Sequence, residues 1–139
     1  MPKLRKDVRI IRGQKLSISE WRSFLEPMLS KLVTSKGICE AAGLGHCGGN
    51  LQLSHVLPKG TYRHLQFDII NVQSLCYVHH MLWWHRNPME AYEWFSKTYP
   101  ERWIYLQSVR NKFIKLDNEY YLKVYKAIKE KDLNSLVIV

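Results

Sequence analysis

Cysteine is scarce in this 139-residue chain, with three in all. An odd and low count excludes a disulfide scaffold and leaves metal ligation or simple burial as the use of those thiols. Long apolar runs are missing as well. None approaches the ~18 residues that a bilayer-spanning helix needs, and the apolar tail at 133–139 is too short. The basic start of the chain lacks the apolar stretch of a secretory signal. A soluble, cytoplasmic protein with no membrane partner is therefore expected. Acidic residues are few, with 12 Asp+Glu against 21 Lys+Arg and a formal net charge of +9. Apolar and aromatic residues are not lacking, at 46% and 12%. That composition excludes disorder as the main description, and the length suits one domain with its own core.

The positive charge is uneven. Residues 1–36 carry nine basic and three acidic side chains, residues 37–87 three and two, and residues 88–139 nine and seven. Lys3, Arg5, Lys6, Arg9, Arg12 and Lys15 recur every one to three residues. Such a segment suits a polyanion, of which nucleic acid is the commonest. The alternative is a solubilising tail or a charge-protected edge strand. Three regions follow from this pattern: a basic N-terminal arm and helix over 1–36, a Cys/His-rich unit over 37–87, and C-terminal helices over 88–139, all in one compact domain.

Periodicity predicts the elements. A short strand is expected over Val8–Arg12. Ser17 and Glu20 have capping-box spacing, and Trp21, Phe24, Leu25, Met28, Leu29 and Leu32 follow at helical intervals, with Pro27 expected to kink or split the helix. Residues 39–50 hold four of the seven glycines and two cysteines and read as a loop. Residues 51–56 alternate as a strand, 65–70 are extended or irregular, and a helix starts near Cys76. Asn87-Pro88 restarts a helix with Asn as N-cap. Another begins at Pro100, and Asp117 caps a last one. There Tyr121, Val124, Tyr125 and Ile128 form one stripe, either core or a homodimer face.

All three Cys and all six His lie between Cys39 and His85. Cys76 and His79 stand three apart at a helix start, within one turn of each other. With Cys39 and Cys47 from the Gly-rich loop they make up the donor set of a structural zinc site. The wide separation of the two loop cysteines leaves His46 as an alternative to Cys47, and three buried thiols as the alternative to any metal.

A second set is His55, Asn71 and His80. The residues LSHV, followed after an interval by NVQSLCYVHH, resemble the HNH nuclease motif. In that family a Cys stands five residues after the Asn, a second zinc ligand eight after it, and the last motif His nine after it. Asn71, Cys76, His79 and His80 reproduce those offsets. The longer run through HLQFDIINVQSLC to the Trp-rich segment is similar to the NinG/Rap group of phage recombination nucleases, over roughly residues 37–106.

The resemblance implies an α+β fold, with a small ββα-metal (HNH, His-Me finger) core between N- and C-terminal helices. It implies a metal-dependent DNA endonuclease hydrolysing phosphodiester bonds in branched or recombination-intermediate DNA. His55 would be the general base, Asn71 would bind metal or position the His55 strand, and His80 would ligate a catalytic Mg²⁺ or Mn²⁺. The sequence departs from the family at Ser54, where Asp or His commonly ligates the metal; His85 and Asp68 are the candidate replacements. Lys59, Arg63 and Arg86 would join the basic arm in binding phosphates. Trp83 and Trp84 either stack on an opened base or form the core seam, with core packing expected for at least one of them, and His64 has a merely structural role. A homodimer would suit paired nicks. The alternatives are a non-catalytic zinc-containing DNA-binding module, a homing, packaging or host-DNA-degrading HNH nuclease, and a module that binds acidic protein.

Overall fold

A computed structural model describes residues 4–137, so Lys3 lies outside the described residues. The basic segment forms a helix, α1 (Lys6–Ile11), where a strand was expected over Val8–Arg12. Its β-branched residues favour a strand, but local contacts decide otherwise. Asp7 sits in the first helical turn and accepts from the Val8 N–H, a placement the helix dipole favours. The helical turn also lets Arg9 pair with Glu20 while Ile10 packs on the core. The arm is thereby anchored along its described length.

Helix α2 (Ile18–Thr34) starts with the expected capping box, in which Ser17 accepts from Glu20 N and Glu20 reaches back to Ser17 N. Pro27 does not split it. The proline lies on the exposed face, while Trp21, Leu25, Leu29 and Val33 bury the opposite one on both sides of it. Each such side chain contributes about 1.5–3 kcal/mol on burial, enough together to offset the ~3 kcal/mol cost of an internal proline.

A two-stranded antiparallel sheet follows. Strand β1 (Leu51–His55) pairs with β2 (Val72–Cys76), with Leu51 opposite Cys76, Ser54 opposite Gln73 and His55 opposite Val72. The expected irregular stretch is real, with tight turns at Arg63–Leu65 and Ile69–Asn71. The second strand comes later than the residue pattern indicated, immediately after Asn71, and every one of its residues is buried. The helix expected near Cys76 is a π-helix, Val78–Trp84.

Helices α3 (Pro88–Thr98), α4 (Pro100–Val109) and α5 (Asn118–Lys129) complete the chain. Pro88 occupies the first turn as expected, but the Asn87 side chain makes no cap hydrogen bond. Asp117 does cap α5, accepting from Tyr120 N. The architecture is α+β. No helix among the described residues is long and apolar enough to cross a membrane.

Two cores hold these elements. One joins α2, α5, Phe67 and Val72, and it absorbs the whole Tyr121/Val124/Tyr125/Ile128 stripe. That stripe is therefore interior, not a dimer face. The other joins Cys39, Leu57, Leu65, Leu75 and Cys76 to Trp84, Phe95 and Leu106. Trp84 packs edge-on to Phe95 and Tyr92 there, as expected of a core residue.

Arg102 of α4 locks the second core to the sheet. Its guanidinium donates to the carbonyls of Ile70 and Val72 and to Glu40, and lies 5.0 Å from the ring centroids of Phe95 and Tyr99. Glu40 in turn accepts from Ser74 N. One side chain thus connects the loop after Cys39 with the carbonyls on either side of Asn71.

Candidate metal centre and histidine cleft

The first site forms where the Gly-rich loop meets the end of β2 and the start of the π-helix. The ligand atoms of Cys39, Cys47, Cys76 and His79 all lie within 4.8 Å of one another. His79 Nδ1 is 3.3 Å from Cys39 Sγ, 3.6 Å from Cys47 Sγ and 3.3 Å from Cys76 Sγ. A tetrahedral ion with bonds of about 2.3 Å to sulfur and about 2.0–2.1 Å to nitrogen needs S···N edges of about 3.5 Å. The group could therefore hold a metal ion, its three S···N edges already close to that length. Cys47 completes the set and His46 does not: the converging ligand atoms include the Cys47 sulfur and no His46 nitrogen, and the φ of 60° at His46 turns the chain there. Gly49 lets the loop close. Its φ is +79°, and a Cβ there would lie 2.5 Å from Tyr77 Cβ.

The thiols are unequal. Desolvation and the neighbouring sulfurs of Cys39 and Cys76 push Cys47 up to about 11. At Cys76 burial also acts upward but is outweighed by the backbone N–H groups of His79 and Gly48, so this thiol falls below its ordinary value.

The second site is a cleft of about 440 Å³ lined by His55, Lys59, His80, Trp84, His85 and Tyr92 among others. His55 stands at the end of β1, and its Nε2 lies 2.9 Å from the Gln66 carbonyl oxygen. A carbonyl only accepts, so Nε2 carries the proton and Nδ1 carries the lone pair. Nδ1 has no hydrogen-bond partner among the described residues. Burial holds His55 below its ordinary value, against the opposing pull of the Gln66 carbonyl and Glu26, which favours the neutral ring.

His80 and His85 come together through the backbone. In an α-helix, positions five apart differ by about 140° around the axis, so this spacing would separate them. Here the His85 N–H donates to the His80 carbonyl at 3.2 Å, the i→i+5 bond of a π-turn, and the two rings meet at a tilt of 52° with centroids 4.7 Å apart. Their Nε2 atoms are 3.0 Å apart. His80 Nδ1 lies 2.7 Å from Gln52 Oε1, which leaves the Nε2 lone pair turned toward His85. Desolvation and then the His85 charge push His80 down to about 4.

The remaining candidates sit elsewhere. Asn71 is fully buried: Oδ1 accepts from Leu57 N at 2.8 Å, and Nδ2 donates to the carbonyls of Leu57 and Leu65 at 3.1 Å each. It fixes the loop that follows His55, an arrangement that fits the positioning role of the two the resemblance implies. Asp68 is not a replacement metal ligand. It is buried, accepting from Ile70 N and from the Tyr105 hydroxyl. Ser54 is buried with its Oγ unpartnered among the described residues, on the strand face opposite His55. His64 bonds the Val109 carbonyl, a structural role as expected.

Among the basic residues, Arg5 pairs with Asp7, Lys6 bonds Ser23, Arg9 pairs with Glu20, and Lys59 bonds both oxygens of Glu26. Arg12, Lys15, Arg63 and Arg86 are exposed. Three residues around the cleft carried no sequence signal: Gln52, Gln66 and Glu26. Comparisons of this chain with family models, with curated proteins and with solved structures found no match.

Proposed function

We propose that this chain is a metal-dependent DNA endonuclease of the HNH type, hydrolysing phosphodiester bonds in branched or recombination-intermediate DNA. The observation that carries the reading is the convergence of His55, His80 and His85 on one cleft, with lone pairs at His55 Nδ1 and His80 Nε2. The Cys39/Cys47/Cys76/His79 group is read as a structural zinc site, because soft thiolates with one imidazole in a closed tetrahedral cage suit zinc.

The cleft fits a catalytic ion in a limited way. The paired Nε2 atoms of His80 and His85 are close enough to share one cation, and two imidazoles favour Mn²⁺ over Mg²⁺. Such an ion supplies charge stabilisation to the phosphate oxygens and the leaving 3′ oxygen. His55 Nδ1 accepts the proton of the attacking water while Nε2 stays on the Gln66 carbonyl, which keeps the ring aimed. Asn71 holds the loop carrying Lys59 against the end of β1. Gln52 orients His80 as an outer hydrogen-bond partner. Lys59 lines the cleft as a phosphate contact, and the exposed Arg63 and Arg86, with Arg12 and Lys15 of the anchored arm, are read as further contacts.

One observation favours a second reading, a non-catalytic zinc-containing DNA-binding module. The residue before His55 is Ser54, buried away from the cleft, so the family's common third protein ligand is missing. One assay decides between the two. Purified protein is incubated with Mn²⁺ or Mg²⁺ and supercoiled plasmid, linear duplex or a four-way junction, alongside His55→Ala. Cleavage abolished by the substitution is expected, with the junction preferred. Binding without cleavage in either metal would sink the enzyme and leave the module.

A further inference from the structure

His55 is served by a residue from outside the strand–strand–helix unit. Glu26 projects from the middle of α2, and its Oε1 lies 3.9 Å from His55 Nε2. The two are also joined through Gln66, which presents its carbonyl to His55 Nε2 at 2.9 Å and its side-chain amide to Glu26 Oε1 at 3.4 Å. Gln66 is itself held by Arg22 Nε, 2.6 Å from its Oε1. The carboxylate is not free in the unliganded protein, because Lys59 Nζ bonds both of its oxygens. Lys59 differs from its partner in freedom: its side chain is 44% exposed, that of Glu26 28% and that of His55 9%. Only the lysine can swing away without unpacking anything, and it lines the same cleft as His55, His80 and His85.

We propose that Glu26 is a positioning residue for His55, held in reserve by Lys59 and released to His55 when a substrate phosphate draws Lys59 into the cleft. The inference rests on the nuclease reading for its chemistry. Water gives a proton to His55 Nδ1 as its oxygen bonds phosphorus. The P–O3′ bond breaks, and the 3′ oxygen keeps the electron pair and takes a proton from solvent. The imidazolium so formed carries a positive charge whose nearest anionic side chain is Glu26. With Lys59 on the carboxylate that charge meets a neutralised pair; with Lys59 on phosphate it meets an unshielded carboxylate in a site largely closed to water, where a charge contact is worth most. The charged groups facing His55 are Glu26 and Arg22 from α2, Lys59 from the loop after β1, and His80 from the π-helix. Of these Glu26 alone is anionic.

The test uses the full chain and the variants Glu26→Gln, Glu26→Asp, Lys59→Ala and Glu26→Gln/Lys59→Ala. The first readout needs no activity: NMR titration of the His55 ring in buffer without Mg²⁺ or Mn²⁺. Lys59→Ala is expected to raise the His55 midpoint and Glu26→Gln to lower it, each by about half a unit to one unit, with Glu26→Asp in between. The rise from Lys59→Ala must be smaller in the Glu26→Gln background, where only the direct charge of Lys59 on His55 is removed. Equal midpoints in wild type and Glu26→Gln, or an undiminished Lys59→Ala shift in the double variant, overturn the proposal. The second readout is plasmid nicking with Mn²⁺. Glu26→Gln is expected to lower kcat about tenfold with KM little changed, while Lys59→Ala raises KM. An unchanged kcat in Glu26→Gln overturns the catalytic use of the carboxylate. If wild type itself does not cleave, the nuclease reading fails by that result, and the ring titration still decides whether Glu26, Lys59 and His55 are coupled.

Discussion

The two clusters of this molecule use the same residue types in opposite ways. The Cys39/Cys47/Cys76/His79 group is closed. Three of its members are buried, and each distance to His79 Nδ1 already suits a tetrahedral ion. The histidine cleft is open, and beyond the His80–His85 contact its donors are held by neighbours: His55 by Gln66, His80 by Gln52, His85 by the π-turn. A closed cage stores folding energy, whereas an open set of oriented lone pairs is suited to exchangeable ligands.

Metal removal should separate the two most sharply. Stripping the cysteine cage with a chelator, or replacing Cys76 with Ser, removes the tie between the Gly-rich loop, β2 and the π-helix. Structural zinc sites contribute on the order of 10 kcal/mol of binding to folding, so thermal melting is expected to lose its cooperative transition or move down by tens of degrees. His85→Ala removes an exposed ring and should leave the melting curve in place while weakening Mn²⁺ binding in calorimetry. A chelator-resistant fold would erase the contrast.

The next effect is smaller and lies between the clusters. Asn71→Ala deletes three hydrogen bonds and strands the Leu57 N–H and the Leu57 and Leu65 carbonyls inside the core. Buried groups left unpaired cost about 1–3 kcal/mol each before relaxation. Urea denaturation is expected to show a loss of about 3 kcal/mol with the zinc content intact. A loss below about 1 kcal/mol would mean that the loop after His55 does not depend on this clamp.

These expectations also show what the sequence made legible. The cage could be read because Cys76 and His79 fall within one turn, so spacing alone implies adjacency; the loop pair Cys39 and Cys47 needed only a Gly-rich segment able to fold back. The capping box at Ser17 and the buried α2 and α5 stripes were legible for the same reason. What escaped was whatever depends on contacts between distant segments or on an irregular backbone. α1 is helical because Arg9 meets Glu20 and Ile10 meets the core. Asn71 is a clamp because Leu57 and Leu65 approach it. His80 and His85 meet only because the helix between them is π, and no residue spacing announces that.

The π-turn gives a direct way to probe the cleft side of the comparison. Such turns arise as one extra residue within a helix and are frequent at functional sites. Deleting the exposed Leu82 should let the segment close with α-type bonds, leaving the two histidines four apart and still on one face. Inserting an alanine after Leu82 should set them six apart and on different faces. Mn²⁺ affinity is expected to survive the deletion within about tenfold and to fall further on insertion, by isothermal calorimetry. The opposite order would show that the rings do not act as a pair.

The smallest effect concerns acid. In the folded chain both His55 and His80 are held below the ordinary histidine value of 6.5, His80 to about 4. The unfolded chain therefore takes up protons first as pH falls. Stability from these rings is complete above about 6.5 and declines as pH drops toward 4. Because His80 is partly open to solvent, the decline should be modest. His80→Gln removes one of the two titrations and should flatten the fall in melting temperature between pH 6.5 and pH 4. A metal-saturated sample adds a second contribution in the same direction, since protons compete for the cage thiolates. Cys47, pushed up to about 11 without an ion, releases its proton to solvent near neutral pH only when an ion takes its place, so the cage should fail with acid more steeply than the cleft. Monitoring zinc release and the His80 titration in one pH series would place the two events in order, and loss of the cleft before the cage would reverse the assignment of which cluster holds the fold.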